Sequence, residues 1–320
     1  MRIYYEKDKL LIKNPVVTIG IFDGVHLGHQ NIISKMTEKA KVVEGETALL
    51  TFWPHPRVVL GKDASLLRFL LTPSEKQMLL GKFGIENEII IPFTKKFASQ
   101  SAENFVETIL VEKLSVKHLV VGYNHHFGKN REGTYEKLSE LGIRHGFTVE
   151  KIGPALAGEI KISSTRIREL ISSGKLSEAN RLLGYTYFLT GKVVEGSKLG
   201  RQIGFPTANV LPSDEFKLVP FDGVYAVMVE IENTIHKAML NIGFRPTVQK
   251  NSVNHTIEVH IFNYGEDIYG KEIIIHFCDR LRDERKFSNI EELKSQLQKD
   301  KMHSLQVLER QYSIEIIRKK

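Results

Sequence analysis

The sequence predicts a two-part fold: an α/β half built on a parallel sheet, then an antiparallel β-barrel closed off by a terminal helix. Three observations predict it. The chain has 320 residues, long for one hydrophobic core and natural for two. Strand-like and helix-like segments alternate through the first half, the rhythm of a parallel sheet covered on both faces. After about Gly184 strand-like segments follow one another without helices, which suits a barrel.

The first half reads element by element. Residues 16–22 are a short apolar run with β-branched Val16, Val17 and Ile19, a buried strand. Residues 28–43 place Ile32, Met36 and Ala40 at helical spacing. Residues 47–53 are the next strand, 73–83 a helix and 88–92 a strand. Residues 102–114 carry Phe105 and Ile109 on one helical face; 118–122 form a strand, 134–145 a helix and 147–152 a strand. In the second half, 187–194, 224–231, 235–242, 256–262 and 272–278 read as strands, several separated by turns containing Gly, Pro, Asn or Asp. Residues 289–308 return to helix, with Ile290, Leu293 and Leu297 nearly on one face. The boundary near Gly184 divides the chain into 1–184 and 185–320.

Composition narrows the function. Hydrophobic content of 42% and charged content of 26% are ordinary for a soluble globular protein. The single cysteine, Cys278, excludes a disulfide framework within the chain and cysteine-rich zinc sites, and fits a reducing cytosol. Residues 1–13 lack the apolar segment of a signal peptide, and runs such as Ile89-Ile90-Ile91 are too short to cross a bilayer. The expectation is a soluble cytoplasmic protein without a membrane partner. Net charge is +7, which favours polyanionic partners. The charge is scattered, which suits phosphorylated small molecules better than nucleic acid.

Two segments carry chemistry in the first half. Gly20-Ile21-Phe22-Asp23-Gly24-Val25-His26-Leu27-Gly28-His29 leaves a strand and enters a helix. Gly24 and Gly28 permit a tight turn and close approach of a ligand, and the helix start offers unpaired N–H groups to phosphate. His26 and His29, three apart, can donate hydrogen bonds to a triphosphate. Paired histidines also suit a half-built zinc site, although no third ligand stands at convincing spacing, or a plain helix cap. Ile162-Ser163-Ser164-Thr165-Arg166-Ile167-Arg168 opens a second helix. Ser164 and Thr165 at its tip and Arg168 one turn on suit phosphate oxygens. They equally suit a simple N-cap with a solvated arginine.

The second half has a loop with Gly196, Gly200 and Gly204, two cations and Thr207 and Asn209. Glycines and cations suit a backbone cradle for phosphates, although the order is not that of a Walker A loop. Thr207 and Asn209 alternate on an extended segment, and their oxygens suit magnesium. A ligand-free glycine hairpin stands beside that reading. In Thr256-Ile257-Glu258-Val259-His260, alternation puts Glu258 and His260 on one face.

Together the first pair of motifs resembles the nucleotidyltransferase superfamily, and more closely the FMN adenylyltransferase module of bacterial FAD synthetases. Thr51-Phe52-Trp53-Pro54-His55-Pro56-Arg57 and Gly122-Tyr123-Asn124-His125-His126-Phe127-Gly128 match two further elements of that module; His125 departs, standing where the family usually has Phe. The resemblance implies a Rossmann-like sheet, with Gly24, His26, Gly28, His29, Ser164, Thr165 and Arg168 binding ATP. It places Asn124 against FMN and ATP and Phe127 near the flavin, while His125 can stack on a ring. His55 is also a plausible turn residue between two prolines.

Gly204-Phe205-Pro206-Thr207-Ala208-Asn209 resembles the signature of riboflavin kinases. Gly223-Val224-Tyr225-Ala226, Asn241-Ile242-Gly243-Phe244-Arg245-Pro246-Thr247, Tyr269-Gly270-Lys271 and Arg282-Asp283-Glu284-Arg285-Lys286-Phe287 support it. That resemblance implies Thr207 and Asn209 on magnesium and ATP and Glu258 as general base. Arg282 and Arg285 border the flavin site or are surface charges. The implied whole is a bifunctional enzyme converting riboflavin to FMN and FMN to FAD, using ATP and Mg2+, as a monomer or transient homo-oligomer. Its rivals are a chain with one live activity, the kinase being favoured, and a flavin-responsive regulator that binds nucleic acid. For the regulator, neither a helix-turn-helix nor an aromatic-basic stripe is visible.

Overall fold

A computed structural model describes residues 1–61, 67–157, 160–196, 199–244 and 255–318. The chain forms two compact units, Met1–Ser164 and Thr165–Lys320. Ser197 and Lys198 of the glycine loop, and Arg245, Pro246 and Thr247, lie outside the described residues.

In the first unit the elements run β1 (Arg2–Tyr5), β2 (Val16–Ile19), α1 (Leu27–Val42), β3 (Thr47–Trp53), α2 (Pro56–Leu60), α3 (Pro73–Phe83) and β4 (Asn87–Pro92). They continue through α4 (Lys95–Ala98), α5 (Ala102–Phe105), β5 (His118–Gly122), α6 (Tyr135–His145), β6 (Thr148–Ile152) and the short pair β7 (Leu156–Ala157) and β8 (Ile160–Lys161). Six strands form one sheet in the order β1-β4-β3-β2-β5-β6, and every pairing in it is parallel. Val16, Val17, Thr18 and Ile19 of β2 are all buried, as a central strand covered on both faces requires.

From β2 the chain adds β3 and β4 on one side, then returns to add β5 and β6 on the other. A crevice for ligands opens at such a reversal, beyond the carboxyl ends of the strands. The segments after β2 and after β5 therefore meet there, and these carry the predicted motifs.

The predicted helix over 102–114 departs from regularity. After Phe105 it continues as a π-helix, Val106–Lys113. The wider turns keep Val106, Leu110 and Leu114, four apart and all buried, close to one line against the core. Helix α3 is regular because both ends are specified. Thr72 and Glu75 form a reciprocal capping box, Pro73 occupies the first turn, and Gly84 closes it in the left-handed region at φ 105°.

The second unit holds α8 (Leu176–Leu183) and most of α7 (Ser164–Ser172), which begins at the last residue of the first unit. The strands β9 (Phe188–Val194), β10 (Ala208–Pro212), β11 (Gly223–Ile231), β12 (Thr234–Phe244), β13 (His255–Ile261) and β14 (Glu272–Arg282) form a closed barrel, order β10-β13-β12-β11-β14-β9. Every pairing in it is antiparallel. Helix α8 is fixed to it by Asn180, whose amide donates to the Phe277 carbonyl at 3.0 Å and accepts from the Tyr187 N–H at 2.8 Å.

A short helix α9 (Leu199–Gln202) precedes β10, and the terminal helix α10 (Ile290–Arg318) runs beyond the predicted 289–308. The buried carboxylate of Asp300 on α10 takes a forked pair of bonds from Arg282 of β14, at 2.9 and 2.7 Å. Removing one member of such a pair leaves the other charge uncompensated. Asp300→Ala is expected to cost about 3–5 kcal/mol, read as a lower denaturation midpoint of the barrel unit.

Candidate active sites

The first site is built by the turn from β2 into α1. Its backbone is unusual: Phe22, Gly24 and Val25 have φ of 55°, 82° and 33°. Glycine meets that demand at position 24, where a Cβ would also strike Leu70. Asp23 locks the turn from inside. Its carboxylate accepts from the backbone N–H groups of Leu70 at 3.0 Å and Leu71 at 3.2 Å. Ser164 Oγ donates to the Asp23 carbonyl at 2.8 Å, so two distant predicted motifs meet.

His26 is the N-cap of α1, its Nδ1 accepting from the His29 backbone N–H at 3.4 Å. The two imidazoles stack at 3.7 Å between centroids and 14° between planes. Phe22 stacks on the far side of His29 at 4.4 Å. Burial pushes His26 down to about 4. His29 lies well below the ordinary imidazole range, from burial first and the neighbouring His26 second. Both rings are therefore neutral near pH 7. His29 Nδ1 is buried and makes no hydrogen bond within the protein. The arrangement offers two imidazole edges and the N-terminal dipole of a 16-residue helix to an anion.

A pH effect follows. Between about pH 6.5 and pH 4 an unfolded chain protonates these histidines and the folded unit does not, so stability falls as pH drops through that window. Denaturation followed by the fluorescence of Trp53, the single tryptophan, is expected to show lower midpoints at pH 5 than at pH 7.

After β5, the His125 N–H bonds to the Gly122 carbonyl at 3.1 Å, turning the chain sharply. Asn124 is exposed at the turn. His125 stacks on Phe127 at 5.7 Å, and Phe127 packs on Phe105 at 5.3 Å. Burial holds His125 at about 4, a neutral and largely hydrophobic ring. Thr165 and Arg168 lie on α7 within the second unit. His55 caps α2 by accepting from the Arg57 N–H at 3.0 Å, which makes the turn role predicted for it real.

The second site lies on β10 and β13. Asn209 and Glu258 are direct partners across that ladder, and Asn241 faces Glu258 from β12 on the other side. Thr207 Oγ1 donates to the Glu258 carboxylate at 3.5 Å. His260 Nδ1 lies 2.7 Å from the Pro206 carbonyl, and that acceptor assigns the proton to Nδ1. The imidazole thus fixes the Phe205-Pro206-Thr207 segment in place. A Cβ at Gly196 would overlap the Asn209 side chain, and one at Gly200 the Phe205 carbonyl, so both glycines are close-approach positions. Gly204 turns with φ 85°.

Arg282 is committed to Asp300, while Arg285 lies 3.8 Å from Glu292 and 4.8 Å over the Phe287 ring. Asp23, Asn241 and His260 were missed as site residues. The alternation of β13 pointed to His260, but the Asp23 and Asn241 contacts exist only in the folded chain. Among the described residues no three His, Cys, Asp or Glu side chains gather as a metal cluster.

Comparison with known proteins agrees with both halves. A family model for FAD synthetase matches residues 9–166, and one for riboflavin kinase matches residues 183–308. The bifunctional riboflavin kinase/FMN adenylyltransferase of Listeria monocytogenes is 39% identical over 90% of each chain. Those of Bacillus subtilis and Escherichia coli K12 are 38% and 35% identical, over 91% and 90% of each chain. A crystal structure described as a macrolide-efflux protein from Streptococcus pneumoniae superposes with a TM-score of 0.87 at 32% identity, covering 95% of this chain and 99% of that one. Among the described residues no helix is long and apolar enough to cross a membrane.

Proposed function

The chain belongs to the bifunctional riboflavin kinase/FMN adenylyltransferase family, and on that premise we propose how its residues divide two reactions. It phosphorylates riboflavin to FMN with ATP, then transfers an adenylyl group from a second ATP to FMN, giving FAD and pyrophosphate. The observation that carries the residue assignment is the pair of oxygen- and imidazole-lined sites, one at a helix tip and one on a barrel ladder. The functional modules are 1–184 and 185–320.

In the kinase module, Glu258 takes the proton of riboflavin's terminal ribityl hydroxyl, which attacks the γ-phosphorus of ATP. Gly196, Gly200 and Gly204 let backbone approach the phosphates. Thr207, Asn209 and Glu258 gather hard oxygen donors of the kind Mg2+ takes. Thr207 and Asn209 would hold that ion, which when bound neutralises charge across the ATP phosphates. Arg285 borders the flavin. Arg282, held by Asp300, would do so through its remaining face.

In the adenylyltransferase module an FMN phosphate oxygen attacks the α-phosphorus of ATP and pyrophosphate leaves. Gly24 and Gly28 admit the triphosphate. His26 and His29 donate to it as charge grows on the leaving group, with Ser164, Thr165 and Arg168 as further donors. Asn124 orients FMN and ATP, and His125 and Phe127 present apolar ring faces to the flavin. No covalent intermediate is needed, since positioning and charge neutralisation suffice. The protein works in the cytoplasm as a monomer or transient homo-oligomer, without nucleic acid. Incubation with riboflavin, ATP and Mg2+, followed by chromatography, is expected to yield FMN and then FAD. FMN accumulating without FAD would defeat the reading of the first site.

A further inference from the structure

Asn241 and Gly243 on β12, and Glu284 in the loop that joins β14 to α10, have no role in either reaction as divided above. The fold brings the three together. Asn241 Nδ2 donates to Glu284 Oε1 at 3.1 Å. Gly243 stands two residues on, so it shares a face of the strand with Asn241. A Cβ at Gly243 would overlap the Glu284 carboxylate. Gly243 is not in the left-handed region, so its backbone does not call for glycine. What calls for glycine is the carboxylate seated over it.

The loop is held on both sides of Glu284. Arg282, paired with Asp300, donates from Nη1 to the Asp283 carbonyl at 2.8 Å, and Arg285 lies over the Phe287 ring. Glu284 itself is exposed, yet its carboxylate has a hollow made for it. A carboxylate only accepts hydrogen bonds. It therefore draws the NH2 edge of the Asn241 amide toward itself and turns Oδ1 to the other edge. Asn241 is the direct ladder partner of Glu258. Such partners stand about 5 Å apart between Cβ atoms, on one face. Without Glu284 the amide is free to rotate and to present either edge beside the base.

We propose that Glu284 is a positioning residue for riboflavin phosphorylation. It holds the Asn241 amide in one orientation beside Glu258. It also ties the loop that borders the flavin ring to the row that meets the ribityl hydroxyl. Ring and reacting hydroxyl lie at opposite ends of riboflavin, so this one bond sets the separation of their two seats. Small displacements of that kind are costly in rate. The proposal rests on the reading of Glu258 as the general base.

Steady-state kinetics of the full chain with riboflavin, ATP and Mg2+ test it. Glu284→Ala is expected to lower kcat for FMN formation about tenfold, the scale of one hydrogen bond to a charged group. The KM for ATP and FAD formation from supplied FMN stay as in wild type. Glu284→Gln, whose amide oxygen still accepts, is expected to recover most of the rate. Gly243→Ala fills the seat of the carboxylate; it is expected to match Glu284→Ala and to cost nothing further when the two are combined. In an Asn241→Ala background, Glu284→Ala is expected to have no added effect, because it acts through that amide. A merely stabilising contact would lower the denaturation midpoint and leave kcat of the folded protein unchanged. Wild-type kcat in Glu284→Ala, no recovery in Glu284→Gln, or Glu284→Ala and Asn241→Ala losses that simply multiply, overturns the proposal. A Glu258→Ala protein that phosphorylates riboflavin at the wild-type rate defeats the reading of the base, and the proposal with it, whatever Glu284→Ala shows.

Discussion

Glu258→Ala is expected to abolish FMN formation from riboflavin while leaving FAD formation from supplied FMN intact. Glu258 is the one carboxylate of the Asn209–Glu258–Asn241 row, with an asparagine directly opposite it on each neighbouring strand and the Thr207 hydroxyl at 3.5 Å. Asparagine and threonine cannot take a proton from an alcohol at neutral pH, so no neighbour in that row substitutes for it. Loss of a positioned general base costs about 10²- to 10⁴-fold in rate. Glu258→Gln keeps the shape and hydrogen bonding and is expected to be comparably inactive, which separates proton transfer from positioning. Chromatography of the products with riboflavin and, separately, with FMN reads both activities. A Glu258→Ala protein that phosphorylates riboflavin at the wild-type rate would remove Glu258 from the mechanism.

His29→Ala is expected to do the reverse, with FMN accumulating and FAD formation falling about 10²- to 10³-fold, the range for losing one donor to a developing negative charge. His29 is the better choice of the stacked pair. His26 is also the N-cap of α1, and losing a cap costs about 0.5–2 kcal/mol of stability by itself. The His29 ring instead lies between Phe22 and His26, with its Nδ1 unpaired within the protein. His29→Asn or His29→Gln restores an amide donor and is expected to recover part of the rate. Equal FAD formation by wild type and His29→Ala would show that the leaving group is stabilised elsewhere.

The parts of these sites that are local in sequence were legible. The spacing of His26 and His29 and the glycines around them follow from one turn and one helix. Strand alternation placed Glu258 beside His260. The parallel sheet and the barrel were readable from the change of rhythm alone. What escaped was tertiary. β1 has four residues, mostly exposed, and no alternation to reveal it; it exists because Arg2 to Tyr5 pair with Asn87 to Ile90. A glutamate in an apolar strand signals a buried charge, but that its counter-ion is Lys76 is set by how α3 lies on the sheet. Helix α7 reads from the sequence as part of the first half, and the division between the two compact units falls within it, after Ser164.

Closure of that barrel has a consequence for how the chain is made. Strand β14 is the staple between β9 and β11, and it is the last strand to emerge from the ribosome. Until it arrives, both of its neighbours present bare backbone edges able to pair with other nascent chains. A transcript truncated before codon 272 would therefore encode not a weakened kinase but an open sheet prone to aggregate, beside an amino-terminal unit whose own six-stranded sheet is already complete.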